Sequence, residues 1–304
     1  MIKFFPNPFS RSRVASVLGI AGCLCFSLQT AHGQQEYELK NGVKIPAESV
    51  KVAGNGFTAT LTRGTAVQTL NFTAKDIVRA KFREPKELAD ARTLLANQKP
   101  QVALEKLDKV EAALLPLRSV PENWWVRSAL TRMDALAESG KVKEALAIAT
   151  SESVGELNPE DAELLKTFQT ILTPPTATPD EKITALKELG KTITDSWLAA
   201  RLWLEVGNTF ANQGKLEDAV KAWLRVPVFS PAEKDLAVRG TILAARGLQQ
   251  LQAPKDGLKL LDDFLADQLT SPYKQAIDAE RTKLDPKTAI EPTPAEPSPE
   301  KSDA

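Results

Sequence analysis

Apolar residues change their period along this chain. Between residues 37 and 82 they recur at every second position: Val50 and Val52, then Phe57, Ala59 and Leu61, then Leu70 and Phe72. A period of two belongs to an extended strand with one buried face. Asn41-Gly42 and Gly54-Asn55-Gly56 are hairpin-type turns. The segment closes through Thr73-Ala74-Lys75-Asp76 into a last strand, Ile77-Val78-Arg79-Ala80-Lys81-Phe82. The pattern predicts four or five strands in about 46 residues, bent into a small sheet or barrel. A unit of that size is marginal alone, so it is expected to dock on the first helices or on a partner. From residue 85 the period lengthens. Leu88, Ala91, Leu94 and Leu95 fall three and four apart, the spacing of one buried helical face, with Pro85 at the start.

Within the helical region a phrase recurs. Gly140-Lys141-Val142-Lys143-Glu144-Ala145-Leu146 nearly repeats Gly214-Lys215-Leu216-Glu217-Asp218-Ala219-Val220. Weaker echoes are Pro100-Gln101-Val102-Ala103-Leu104 and Pro254-Lys255-Asp256-Gly257-Leu258. A further pair of helices, over residues 162–172 and 180–193, fits with Ala185 at its crossing. The small residues Ala103, Ala145, Ala185, Ala219 and Gly257 are 42, 40, 34 and 38 apart. These spacings predict about five helical hairpins, four of them with longer helices or loops than the fourth. The competing arrangement is a non-repeating helical bundle.

The fourth unit carries the clearest motif. Trp203-x2-Val206-Gly207-x2-Phe210 is followed by Ala219-x3-Trp223 and then Pro231. Two antiparallel helices can approach closely only where small residues face each other, a role that suits Gly207 and Ala219. Trp203, Val206, Phe210 and Trp223 are the large residues around them. Gly214 allows a tight reversal because glycine tolerates positive φ, and Pro231 ends the second helix. The spacing resembles the tetratricopeptide repeat family, whose unit of 34 residues reads W-x2-L-G-x2-Y…A-x3-F…P. The closing phrase Asp76-Ile77-Val78-Arg79-Ala80-Lys81-Phe82 and the order of turns before it are similar to small SH3-like or Sm-like β modules of exported bacterial proteins. The resemblances imply a mainly α fold: a tetratricopeptide-like α-solenoid preceded by a small β-barrel-like module. Such a solenoid exposes a concave face built from the first helix of each pair. Arg201, Asn208, Asn212, Arg239, Arg246, Gln249 and Gln250 are the candidate partner-binding residues of that groove, set away from Trp203 and Phe210. Long polar donors there would suit peptide carboxylates and backbone. The peptide-clamp subset of the family has a lysine one turn before the asparagine. Leu204 stands there instead, so a chaperone-tail clamp is not supported.

Composition narrows the chemistry. Residues 1–33 run from Lys3, Arg11 and Arg13 through an apolar stretch, residues 14–28, to Ala31-His32-Gly33. That order is expected of a secretory signal peptide. The alternative is a membrane anchor, although the run is short for a span of ~20 residues. Ile20-Ala21-Gly22-Cys23 also resembles a lipobox, which would leave a lipoprotein anchored at Cys23. The segment holds three of the 39 basic residues and no acid, so the processed chain carries 36 − 39 = −3. It also holds Cys23, Cys25 and the sole histidine, His32. Without them, Ser-His-Asp and Cys-His catalysis, Cys/His zinc sites and disulfides are all excluded. Paired Asp/Glu chemistry is not excluded, but the acids are scattered on charged helix faces. Asp262-Asp263 lacks a calcium-type loop, and no metal or cofactor is expected. Trp124-Trp125 could be a sugar or peptide platform, or one core residue beside a partly exposed one. Basic residues alternate with acids, so no nucleic-acid stripe is present. The Pro/Glu-rich segment 286–304 has too little apolar content to fold and is expected to be a disordered tail.

The expected organisation is a signal peptide over 1–33, a β module over 34–84, a helical repeat domain over 85–285 and the tail over 286–304. The expected role is non-enzymatic: protein–protein interaction in the bacterial cell envelope, periplasmic or secreted, with a protein or peptide partner and membrane attachment only through Cys23. The alternative is an envelope enzyme or a carbohydrate-binding subunit. Mass spectrometry of the exported protein should find Gln34 at the N-terminus. An acylated Cys23 would establish the lipoprotein instead, and a retained Met1 would rule out both.

Overall fold

The computed structural model describes residues 35–53, 56–63, 66–121, 123–174, 176, 178–266 and 272–285. The expected signal peptide and proline-rich tail lie outside the described residues. Among the described residues six strands come first: β1 (Glu36–Leu39), β2 (Lys44–Pro46), β3 (Val50–Ala53), β4 (Gly56–Arg63), β5 (Ala66–Phe72) and β6 (Ile77–Lys81). They form two antiparallel three-stranded sheets, ordered β2-β1-β6 and β3-β4-β5. Alternation accounts for the buried Tyr37, Leu39, Ile45, Phe57, Ala59 and Phe72, whereas in β6 the buried Ile77 and Ala80 stand three apart, where the pairing with β1 shifts register. Tyr37 meets the rings of Phe57, Phe72 and Phe82 at 5.0–6.1 Å between centroids, edge-on or tilted. A single turn of 3-10 helix, Ala74–Asp76, precedes β6, and its Asp76 carboxylate accepts from the Thr73 N–H and hydroxyl.

The core of this module is completed from outside it. Leu117 and Val120, which follow the second helix, are buried within the same cluster. The Trp124 indole N–H donates to the Phe82 carbonyl at 3.0 Å. Leu114, at the end of the second helix, packs on the same cluster, so the module docks on the end of that helix and on the segment that follows it.

Eleven α-helices follow among the described residues: α1 (Lys86–Ala96), α2 (Pro100–Leu114), α3 (Trp125–Glu138), α4 (Val142–Ala149), α5 (Pro159–Leu172), α6 (Pro179–Leu189), α7 (Ser196–Asn212), α8 (Leu216–Phe229), α9 (Lys234–Gln250), α10 (Pro254–Ala266) and α11 (Lys274–Leu284). Four pairs, α1/α2, α3/α4, α7/α8 and α9/α10, share one turn. Each is joined by three residues, with the middle one at φ between 59° and 75°: Gln98, Gly140, Gly214 and Gln252. In each, the next N–H closes on a carbonyl five residues back: Lys99 on Leu94, Lys141 on Leu136, Lys215 on Phe210 and Ala253 on Leu248. This is the Schellman closure of a helix C-terminus. Five residues after each left-handed residue stands a buried small one, Ala103, Ala145, Ala219 or Gly257.

The close crossing is real at α7/α8. A Cβ added to Gly207 would lie 2.4 Å from the Trp223 indole, so the ring lies flat against bare backbone. The expected pair around Ala185 differs. Ala185 is only half-buried, while Ile183 and Leu186 turn inward. α5 packs on α3, α4 and α7, and α6 packs on α7. The loop between them lacks the three-residue turn that draws the other pairs together. α1 packs against α9 as well as α2 and α3, which brings the first and last hairpins into contact.

Replacing Ala219, fully buried, by leucine should lower stability by about 1–3 kcal/mol through overpacking, with Gly207→Ala acting in the same direction. Thermal unfolding measures it; an unchanged midpoint for both variants would contradict the crossing.

Candidate functional site

The first helices α1, α3, α7 and α9 converge on a set of charged side chains that the apolar pattern does not announce. Asp134, on α3, is 1 % exposed. Its carboxylate receives Arg201 Nε of α7 at 2.6 Å on one oxygen and Arg239 Nη1 of α9 on the other. Arg239 reaches Glu138 with its second terminal nitrogen. Arg201 also approaches Glu205 at 3.5 Å, and Glu205 holds Lys182 of α6 at 2.7 Å. One turn before Arg239 on α9, Asp235 binds Arg92 of α1 at 2.7 Å, and Arg92 also binds Glu84 at 3.0 Å.

The electrostatics follow from burial. Desolvation alone would raise the Asp134 carboxyl. The guanidinium groups of Arg239 and Arg201 outweigh it and hold the group below the usual carboxylate range. Desolvation opposes the charge on Arg239 and Arg201 as well, and the facing carboxylates of Asp134 and its neighbours reverse that effect, so both are held above the ordinary arginine value.

Beside this network a cavity of about 300 Å³ opens. Leu95, Leu204, Ile242 and Leu243 are among its apolar lining residues, and Glu138, Asn208, Arg239 and Arg246 among its polar ones. Of the seven residues expected to form a solvent-facing groove, Asn208, Arg239 and Arg246 meet here. Arg201 and Arg239 do not face open solvent: they are 2 % and 8 % exposed and engaged by carboxylates of this chain. Arg246 is half-buried and holds Glu280 of α11 through Nε and Nη2. Asn208 is half-buried, its side-chain oxygen accepting from the Trp223 indole at 3.1 Å. Asn212, Gln249 and Gln250 are exposed at the helix ends.

On the opposite face, Trp203 and Phe210 pack against the main core, as their spacing implied. Trp203 and Phe210 are half-buried, Trp203 covered by the Arg225 guanidinium at 4.2 Å and Phe210 by Lys187 at 5.2 Å. Trp124 and Trp125 divide as expected into a half-buried and a buried residue. Asp262 pairs with Arg281. Among the described residues no group of three His, Cys, Asp or Glu side chains is placed to hold a metal ion.

The partners Asp134, Glu138, Glu205 and Glu280 escaped the sequence reading, yet one signal marked the site. Arg127, Arg201 and Arg239 each stand 13 residues before the left-handed turn residue of their hairpin, Gly140, Gly214 and Gln252. Arg92, Asp134, Asn208 and Arg246 each stand six before theirs. Equivalent positions on stacked helices face one another, and Arg127 likewise meets a carboxylate, that of Asp195 at the N-terminus of α7.

Asp134→Asn leaves two buried arginines short of a counter-charge and should cost about 3–5 kcal/mol in denaturant unfolding. The folded-state pKa of Asp134 is depressed, so its contribution is present above the unfolded value near ~4 and lost as pH falls through the folded one. Acidification below about pH 4 should therefore destabilise wild type more steeply than Asp134→Asn; equal slopes would remove Asp134 from the account.

No family model and no curated protein matches this chain.

Proposed function

We propose that this chain is an exported, non-catalytic scaffold whose tetratricopeptide-like array mediates protein–protein interaction in the bacterial cell envelope. The observation that carries the reading is the repeated hairpin. Four pairs of helices share a three-residue turn, a left-handed residue and a buried small residue five positions on. That is the construction of a repeat array, and such arrays bind on the face formed by their first helices. The motif from Trp203 to Trp223 supports membership of the tetratricopeptide repeat family, and the basic, then apolar, then small-residue order of residues 1–33 supports export.

The binding surface is narrower than an open groove. The cavity beside Asn208 and Arg246 is lined by both apolar and polar side chains, the combination that takes one anchoring side chain of a partner. Asn212, Gln249 and Gln250 extend the polar surface outward from it. The inner carboxylates each face an arginine or lysine, which favours a structural use of these acids over paired-carboxylate catalysis.

A photo-crosslinking residue placed at Gln98, on the cavity rim, should capture a discrete partner in envelope preparations. The same residue at exposed Lys221, on the outer helix α8, should not. Equal capture at both places, or none at Gln98, would overturn the assignment of the cavity.

A further inference from the structure

Among the described residues the β module has four edge strands, and three of them are guarded. β2 carries Lys44 and Pro46, β3 carries Lys51, and β6 carries Arg79 and Lys81. Charges and proline on an edge are the usual protection against pairing with another chain. β5 is the exception. Its sequence, AVQTLNF, contains no charge and no proline. It lies at the end of the order β3-β4-β5, hydrogen-bonded to β4 along one side. Ala66, Val67, Gln68, Thr69 and Asn71 are exposed, and Val67 is 68 % exposed. The outward face beside it is also uncharged where Thr58, Thr60 and Thr62 of β4 stand opposite Asn71, Thr69 and Val67.

We propose that β5 pairs with β5 of a second copy of this chain, antiparallel about a two-fold axis at Thr69, joining two three-stranded sheets into one of six strands. Thr69 is the middle of the seven-residue strand, so this register pairs every residue. Val67 then faces Asn71, Gln68 faces Leu70, Ala66 faces Phe72, and Thr69 faces its own copy. No like charges meet, and a cross-strand threonine pair is favourable. An interface of this kind is isologous and closes at two copies. The second copy is favoured over a different strand because the edge has no charge with which to select a charged partner, and its sequence is compatible with itself throughout. This inference is independent of the proposed cavity. It would make the scaffold bivalent.

Sedimentation of the full chain tests it. Wild type should show a concentration-dependent dimer. Thr69→Lys and Thr69→Glu each place like charges together on the axis and should weaken the dimer by about tenfold or more. An equimolar mixture of the two should restore it, since lysine then faces glutamate. A wild type that stays monomeric, a dimer indifferent to either charge, or a mixture no tighter than its components would overturn the proposal. Capture of a different protein by this edge without self-association would do the same. Should a charged variant fail to fold, Thr69→Cys in a chain with Cys23→Ser and Cys25→Ser carries the test. A short bismaleimide should then link two copies through residue 69, and a chain that remains unlinked overturns the pairing.

Discussion

One buried carboxylate sets the positions of three helices. Asp134 sits between Arg201 and Arg239, drawn from helices 67 and 105 residues away in sequence. Removing such charges from water costs several kcal/mol per ion, recovered only when hydrogen bonds are made in good geometry. An apolar contact tolerates sliding by an ångström or two; a carboxylate shared between two guanidinium forks does not. α3, α7 and α9 are therefore held in a particular axial register, and the small-residue crossings of the outer helices then have a fixed frame to pack against.

The same interaction decides what the inner face can offer. All three of its arginines are engaged by acids of this chain, and beside them a cavity lined in part by Asn208 and Arg246 stays open. The outer face uses its cations differently. Arg225 and Lys187 lie over Trp203 and Phe210, covering rings that the helix period alone would send to the interior. Trp203 and Phe210 thus pack on the core with one side and carry a cation on the other, while Trp223 is buried.

Much of the architecture was readable from the residues. Alternation located the β module, glycines at 140 and 214 marked two turns, and Gly207 with Ala219 marked a crossing where the Trp223 ring leaves no room for a Cβ on Gly207. Gln98 and Gln252 were not readable as turn residues, because glutamine seldom adopts positive φ and nothing local identifies it there. The buried network was missed for a different reason. A charged residue on a helix is ordinarily solvated, and only knowledge of its partner in a distant helix changes that expectation. The recurrence of arginine 13 residues before the turn was the available clue, since a surface charge has no cause to repeat in register. The α5/α6 region failed where the turn signal was absent, and Ala185 followed the spacing without occupying a crossing.

The contact between α1 and α9, held by Arg92 and Asp235, sets this arrangement of hairpins apart from an open stack. An open stack can gain or lose a unit at either end, since each unit touches only its neighbours. Here the first hairpin is also a neighbour of the last. Duplication or deletion of an internal unit would break that junction, so the number of hairpins cannot drift through ordinary repeat expansion.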